Sequence, residues 1–171
     1  MLEQREGLIS PADAIRRLEQ LRFAWRGDAL ESRILSRLAQ LHLDEQDYRK
    51  GLGLYRMATA NVEDSDTARR FTGEMSKIFA TLFLDGEADT LSPLAALSLF
   101  YDFQELTPLG ARGDRMIRKL SDRLVAVGLL GRAADLLRHQ VEFRLDGAAQ
   151  SQVAAELARI YLADSRPQAA I

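Results

Sequence analysis

Apolar residues recur at steps of three and four along almost the whole chain, and that regularity leaves little choice of architecture. Ile34, Leu35, Leu38, Leu41 and Leu43 follow it, as do Phe71, Met75, Ile78, Phe79, Leu82 and Phe83. Such spacing returns side chains to one face of an α-helix, and no stretch alternates with the period of two that a half-buried strand requires. Pro11, Pro93, Pro108 and Pro167 fall where helices begin or turns occur. A proline in a first helical turn sacrifices no hydrogen bond, because that amide has no intrahelical acceptor. Ser10-Pro11 and Ser92-Pro93 therefore read as cap and first helical residue. Gly27, Gly86, Gly110, Gly113, Gly128, Gly131 and Gly147 punctuate the gaps. Helices are expected near 11–25, 29–43, 47–61, 66–84, 93–105, 114–127, 131–144 and 149–163, with the opening of another from 167. Short connections set neighbouring helices antiparallel. The two longer connections are 85–92 and 106–113.

A second pattern lies on top of the first. Leu35, Leu38-Ala39 and His42 are followed by Gly51, Tyr55 and Ala58. Ala39, Gly51 and Ala58 are small where two helices cross closely, and Leu35, Leu38 and Tyr55 are large where helix pairs must be filled. Asp47-Tyr48 makes the turn between the two helices. The order returns at Ile117, Leu120-Ser121, Leu124, Ala133 and Leu137, and again at Ala154, Leu157-Ala158, Tyr161 and Ala170. Leu38 to Leu120 spans 82 residues and Leu120 to Leu157 spans 37.

This register resembles the tetratricopeptide repeat, whose unit is about 34 residues. The chain departs from the motif by placing Ala or Ser at the glycine of its Leu-Gly pair and Glu63 at its terminal proline. Degenerate arrays of this kind resemble repeat proteins of high-GC bacteria. The scarcity of lysine, confined to Lys50, Lys77 and Lys119, reads as the same genome bias. The resemblance implies an all-α fold, a right-handed superhelical stack of antiparallel helix pairs. Residues 1–171 would form one array, with units near 1–27 (partial), 28–64, 65–110, 111–147 and 148–171 (partial). The middle unit fits by helix pattern alone and is enlarged by the acidic loop Asp85-Gly86-Glu87-Ala88-Asp89. Helix 11–25 reads as the second half of a unit, and the chain stops soon after Arg166, inside a helix. Both ends are thus expected to be cuts in a longer array, and array ends without polar caps expose apolar faces that self-associate.

Composition removes several function classes. The chain has no cysteine, so disulfides, thiolate metal sites and thiol nucleophiles are absent. A net charge of −2 argues against general capture of nucleic acid or anionic lipid. No apolar run is long enough to cross a membrane, and the polar start is unlike a secretory signal. A cytoplasmic segment is the expectation.

The chemical motifs are weak. Two Arg-Gly-Asp tripeptides, Arg26–Asp28 and Arg112–Asp114, each precede an expected helix. They read as glycine turns with aspartate N-caps, Asp28 and Glu31 forming a capping box, and not as adhesive loops. Asp135, His139 and Glu142 share a helix face, which reads as solvated and lacks a second ligand helix. Gly51-Leu-Gly53 lacks the strand and lysine of a phosphate loop. No catalytic constellation or cofactor site is present, so no enzyme is expected in this segment. Phe100, Tyr101 and Phe103, with Leu97 and Leu99, make helix 93–105 apolar nearly all round; core is its default role, or an interaction patch where exposed.

The resemblance supplies the remaining expectation, because the first helix of each pair lines the concave surface of such arrays. By register those positions are Arg33, Ser36, Gln40 and Leu43, then Arg115, Arg118, Asp122 and Val125, then Gln152, Ala155, Arg159 and Leu162. Arg112, Arg115, Arg118, Lys119 and Arg123 add a basic run that could read an acidic peptide or a phosphate backbone. The set implies a protein or peptide partner held in a polar, basic-leaning groove. Ser36 and Gln40 stand where chaperone-binding repeats carry the Lys and Asn of their carboxylate clamp, so that ligand is not implied. The alternatives are a nucleic-acid-binding helical surface, and a regulatory array attached to an enzymatic or membrane domain outside this segment.

Overall fold

The structure, a computed structural model, describes residues 9–24, 29–62 and 64–165. Arg26–Asp28 with its expected capping box, Glu63, Ala170 and the helix expected from 167 lie outside the described residues. The described residues are all-α, with eight helices and no strand: α1 (Pro11–Ala24), α2 (Ala29–Asp44), α3 (Tyr48–Ala60), α4 (Ser65–Leu84), α5 (Pro93–Asp102), α6 (Ala111–Ala126), α7 (Leu130–Phe143) and α8 (Gly147–Ala163). Helices pack chiefly on their neighbours in sequence. The chain forms two compact units, Met1–Met75 and Ser76–Ile171, and the division falls inside α4.

In the first unit α2 and α3 are the most intimate pair, and their small residues explain why. Ala39, Gly51 and Ala58 are all buried at the crossing. A Cβ added to Gly51 would stand 2.6 Å from Leu43 Cγ and 3.1 Å from the Ala39 carbonyl oxygen. Gly53, two residues on and so on another face of α3, has open space around it and plays no such part. Asp47 caps α3, its carboxylate accepting the Lys50 amide at 3.4 Å, and Gln46 makes the preceding turn with φ 62°. Ser10 caps α1, accepting the Asp13 amide at 3.1 Å. α1 lies on α2 and reaches α3 through Glu19 and Lys50, 3.4 Å apart.

The second unit begins with an aromatic cluster. Phe79, Phe83 and Phe100 stand with ring centroids 4.9 to 6.0 Å apart, joining the end of α4 to α5. Ser92 caps α5 as its sequence implies, accepting the Ala95 amide at 3.2 Å. α5 stops at Asp102, short of the expected 105, and a 3-10 turn over Gln104–Leu106 follows. That tighter winding superimposes positions i and i+3, and Phe103 and Leu106 both enter the core. Leu97 and Leu99 are buried with them, whereas Leu94 and Tyr101 are exposed, so α5 is core on all but one side. In the α6–α7 pair, Ser121 and Ala133 stand where Ala39 and Gly51 stand in α2–α3, and the Ser121 hydroxyl donates to the Ala133 carbonyl at 3.4 Å. Leu157 and Tyr161 of α8 are buried at the same register.

The start of α6 corrects the reading of Arg112–Asp114. The helix begins at Ala111, its N-cap is Gly110 with φ 69°, and both Gly113 and Asp114 are buried in its first turn. Asp114 is therefore no cap. Its carboxylate accepts from Arg144 Nε at 3.2 Å, while Arg144 also donates to the Pro108 carbonyl at 2.9 Å. Gln140, fully buried, donates to the Asp114 carbonyl at 3.2 Å. Gly113 is a glycine because the chain doubles back on it: an added Cβ would lie 1.9 Å from the Pro108 oxygen and 2.7 Å from Arg144 Nη2.

Two glycine substitutions should move stability in opposite directions. Gly73, exposed in α4 with nothing near its Cα, should gain about 0.5–1 kcal/mol as alanine, since glycine is the costlier helix residue. Gly113→Ala should lose about 1–3 kcal/mol by overpacking against backbone. Urea midpoints of the two variants check this, and a Gly113→Ala protein as stable as the parent would refute the close approach.

Candidate partner-binding groove

Three of the positions expected on an inner surface, Arg33, Ser36 and Gln40, come together in the first unit. They follow one face of α2 and border an open groove of about 530 Å³. Tyr55 of α3 and Phe71 of α4 form its floor, with ring centroids 6.0 Å apart. Arg37 stands beside them on α2, and Arg70 and Glu74 close the far side from α4. Among the described residues no carboxylate pairs with Arg33, whose side chain is exposed. The Arg70 guanidinium lies 5.9 Å from the centre of the Phe71 ring, within cation–π reach. Arg37 and Glu74 are each already engaged with the protein. The groove thus offers an aromatic base with arginines on both banks. Burial pushes the Tyr55 hydroxyl above its ordinary value, with the Glu74 and Asp44 carboxylates adding to the effect and Arg37 opposing it. At neutral pH that hydroxyl is a protonated donor.

The other expected positions are not gathered in this way. Arg115, Asp122 and Val125 of α6 are exposed and Arg118 is half-buried. Gln152, Ala155, Arg159 and Leu162 of α8 are all exposed. The basic run divides by task. Lys119 donates to the Leu84 carbonyl at 2.6 Å, closing the end of α4. Arg123 donates to the carbonyls of Ala88 at 3.1 Å and Leu91 at 2.8 Å and meets Asp89 at 3.2 Å. Arg123 thus holds the acidic loop, whose 3-10 turn Glu87–Thr90 buries Ala88. That leaves Arg112, Arg115 and Arg118 as the outward cations of α6.

No repeat register marks Arg70, Phe71 and Glu74 as groove residues, because the middle unit matches the repeat by helix pattern alone. Tyr55 was read as filler between helices; it is that and also the groove floor. A second pocket, of about 340 Å³, opens in the second unit between α5 and α7. Asp135, His139 and Glu142 border it but make no metal site. Asp135 pairs with Arg138 at 3.2 Å, and among the described residues no group of three or more histidines and carboxylates is placed to hold an ion. The Tyr101 hydroxyl on its rim is pushed up by burial and then by Asp135, against Arg132. No described helix is long and apolar enough to cross a membrane. No protein-family model matches this sequence, and no curated protein matches it.

Two measurements check this geometry. Arg123→Ala should cost about 1.5–3 kcal/mol, the range for hydrogen bonds from a charged donor, and should speed amide exchange across Ala88–Leu91; unchanged exchange there would refute its anchoring role. In alkaline titration followed by tyrosinate absorbance, Tyr55 and Tyr101 should ionise above the ordinary value of 10.0. A folded-state value raised above the unfolded one gives stability that is full below the unfolded value and lost as pH rises through the folded one. Unfolding should therefore accompany the late phase, and Tyr55→Phe should shrink that phase; ionisation of both hydroxyls at the ordinary value would count against the burial of Tyr55 and the partial shielding of Tyr101.

Proposed function

We propose that the chain is a tetratricopeptide-like repeat segment that serves as a protein–protein interaction scaffold, holding a partner segment in the groove of its first unit. The observation that carries this reading is the convergence of Arg33, Ser36 and Gln40 on the Tyr55–Phe71 floor. Equivalent small and large residues are buried in α2–α3 and α6–α7, which supports the repeat register. An aromatic base takes an apolar side chain of the partner and contributes most of the binding. Arg33 and Arg70 steer acidic flanks and fix their register more than they add affinity. Engagement of Lys119 by the end of α4 and of Arg123 by the acidic loop weighs against a nucleic-acid surface on α6.

Selection of a displayed random-peptide library on the protein tests the proposal. Recovered peptides should carry an apolar residue flanked by Asp or Glu. Arg33→Glu with Arg70→Glu should weaken them roughly tenfold or more, about 1.4 kcal/mol, while Arg115→Glu with Arg159→Glu should leave them bound. Peptides insensitive to Arg33 and Arg70, or none at all, would sink the groove reading.

A further inference from the structure

The second unit carries an unexplained face. Phe143, the last residue of α7, is 73% exposed and borders the pocket between α5 and α7. Tyr101, on the opposite rim, is 44% exposed. An aromatic ring standing in water beside an apolar depression is unusual for a surface that meets nothing. Along α7 the exposed side chains run Arg138, His139, Glu142, Phe143, so opposite charges stand four residues apart on one face. Arg138 reaches back to Asp135 at 3.2 Å, a solvent-exposed pair that leaves the rest of its guanidinium fork open to a second carboxylate. Glu142 has no cationic partner among the described residues. His139 lies against Phe143 at 5.0 Å between ring centroids and keeps the ring over the pocket rim.

This pattern is self-complementary. When a helix meets its own copy antiparallel about a two-fold axis at the level of Gln140, on the face opposite that buried side chain, Arg138 of one faces Glu142 of the other, and the reverse contact forms at the same time. In such an isologous interface every contact i to j is repeated as j to i. The same symmetry carries Phe143 of each chain toward the pocket of its partner. We infer that the α5–α7 face is a homodimer interface, closed by reciprocal Arg138–Glu142 pairs and by insertion of Phe143 beside Tyr101 of the second copy. The charge order argues for a second copy over an unrelated protein, since a partner of one sign would leave half of these charges opposed. This surface is separate from the groove of the first unit, and its occupancy does not depend on that groove having a ligand.

The test is the mass in solution by sedimentation equilibrium over about 1 to 100 μM chain, because self-association follows mass action. The parent should pass from one chain to two across that range. Phe143→Ser, at an exposed site and so without loss of fold by circular dichroism, should remain a monomer. Arg138→Glu and Glu142→Arg should each be monomeric alone, since each faces like charges with its own copy. Mixed in equal amounts they should dimerise, because every contact across the pair is then between opposite charges. A monomeric parent overturns the proposal. So does a dimer indifferent to Phe143→Ser, or a mixture of the two charge variants that stays monomeric.

Discussion

The distance between paired helices governs the rest of this structure. A helix buries a stripe, not a surface, and two stripes exclude water only when their axes come close. In α2–α3 the approach is set by Ala39, Gly51 and Ala58, none of which has a side chain that could hold the helices apart. Large residues then have defined places on either side of the crossing. Leu35, Leu38 and Leu52 fill the interior of the pair. Tyr55 is turned outward to meet Phe71, and the groove floor exists because of that displacement. Function, on the reading proposed here, follows from packing: the residues too large for the crossing become the residues that line the groove.

The second close pair solves the same problem with polar atoms. Gln140 stands in α7 where Ala58 stands in α3, 82 positions on, and it is fully buried. A side chain of that size at a crossing position must be satisfied, and the Asp114 carbonyl satisfies its amide nitrogen. Arg144 completes the arrangement by bonding the Asp114 carboxylate and the Pro108 carbonyl together. A part-buried pair of this sort contributes little net stability, but removing one partner leaves the other charge poorly compensated. Its effect is positional: it fixes where α6 begins, and so which faces of α6 and α7 point outward.

The helices and their caps were legible because their causes are local. Ser10 and Ser92 cap as expected, and Asp47, read as part of the turn, caps α3 in the same way, since a hydroxyl or carboxylate three residues ahead of an orphan amide has a near and specific partner. The small residues of α2–α3 were legible for a similar reason, because their spacing repeats. Asp114 was not, since its partner Arg144 is 30 residues away. Lys119 and Arg123 likewise looked like members of a free basic run. Their acceptors are backbone carbonyls at the end of α4 and in the acidic loop, and nothing in a sequence marks a carbonyl as unsatisfied. Of the groove, Arg33, Ser36 and Gln40 were readable from register, whereas Arg70 and Phe71 belong to a helix pair whose register is blurred by its enlarged loop.

The division of the arginines follows from this. A guanidinium has five donors in a rigid fork, so it can bind two carbonyls and a carboxylate at once. Arg123 uses that capacity on two carbonyls and a carboxylate, Arg144 on one of each, and each ties a connecting segment to a helix. An arginine committed in this way is lost to any ligand, because releasing it would strand the carbonyls it satisfies. Arg33 has no such commitment among the described residues. Its exposed charge is met by water, and on the proposed reading an acidic side chain would replace that water at little cost to the fold. Sequence counts these arginines alike; only the positions of the carbonyls they satisfy separate the cations that build the fold from those left in solvent.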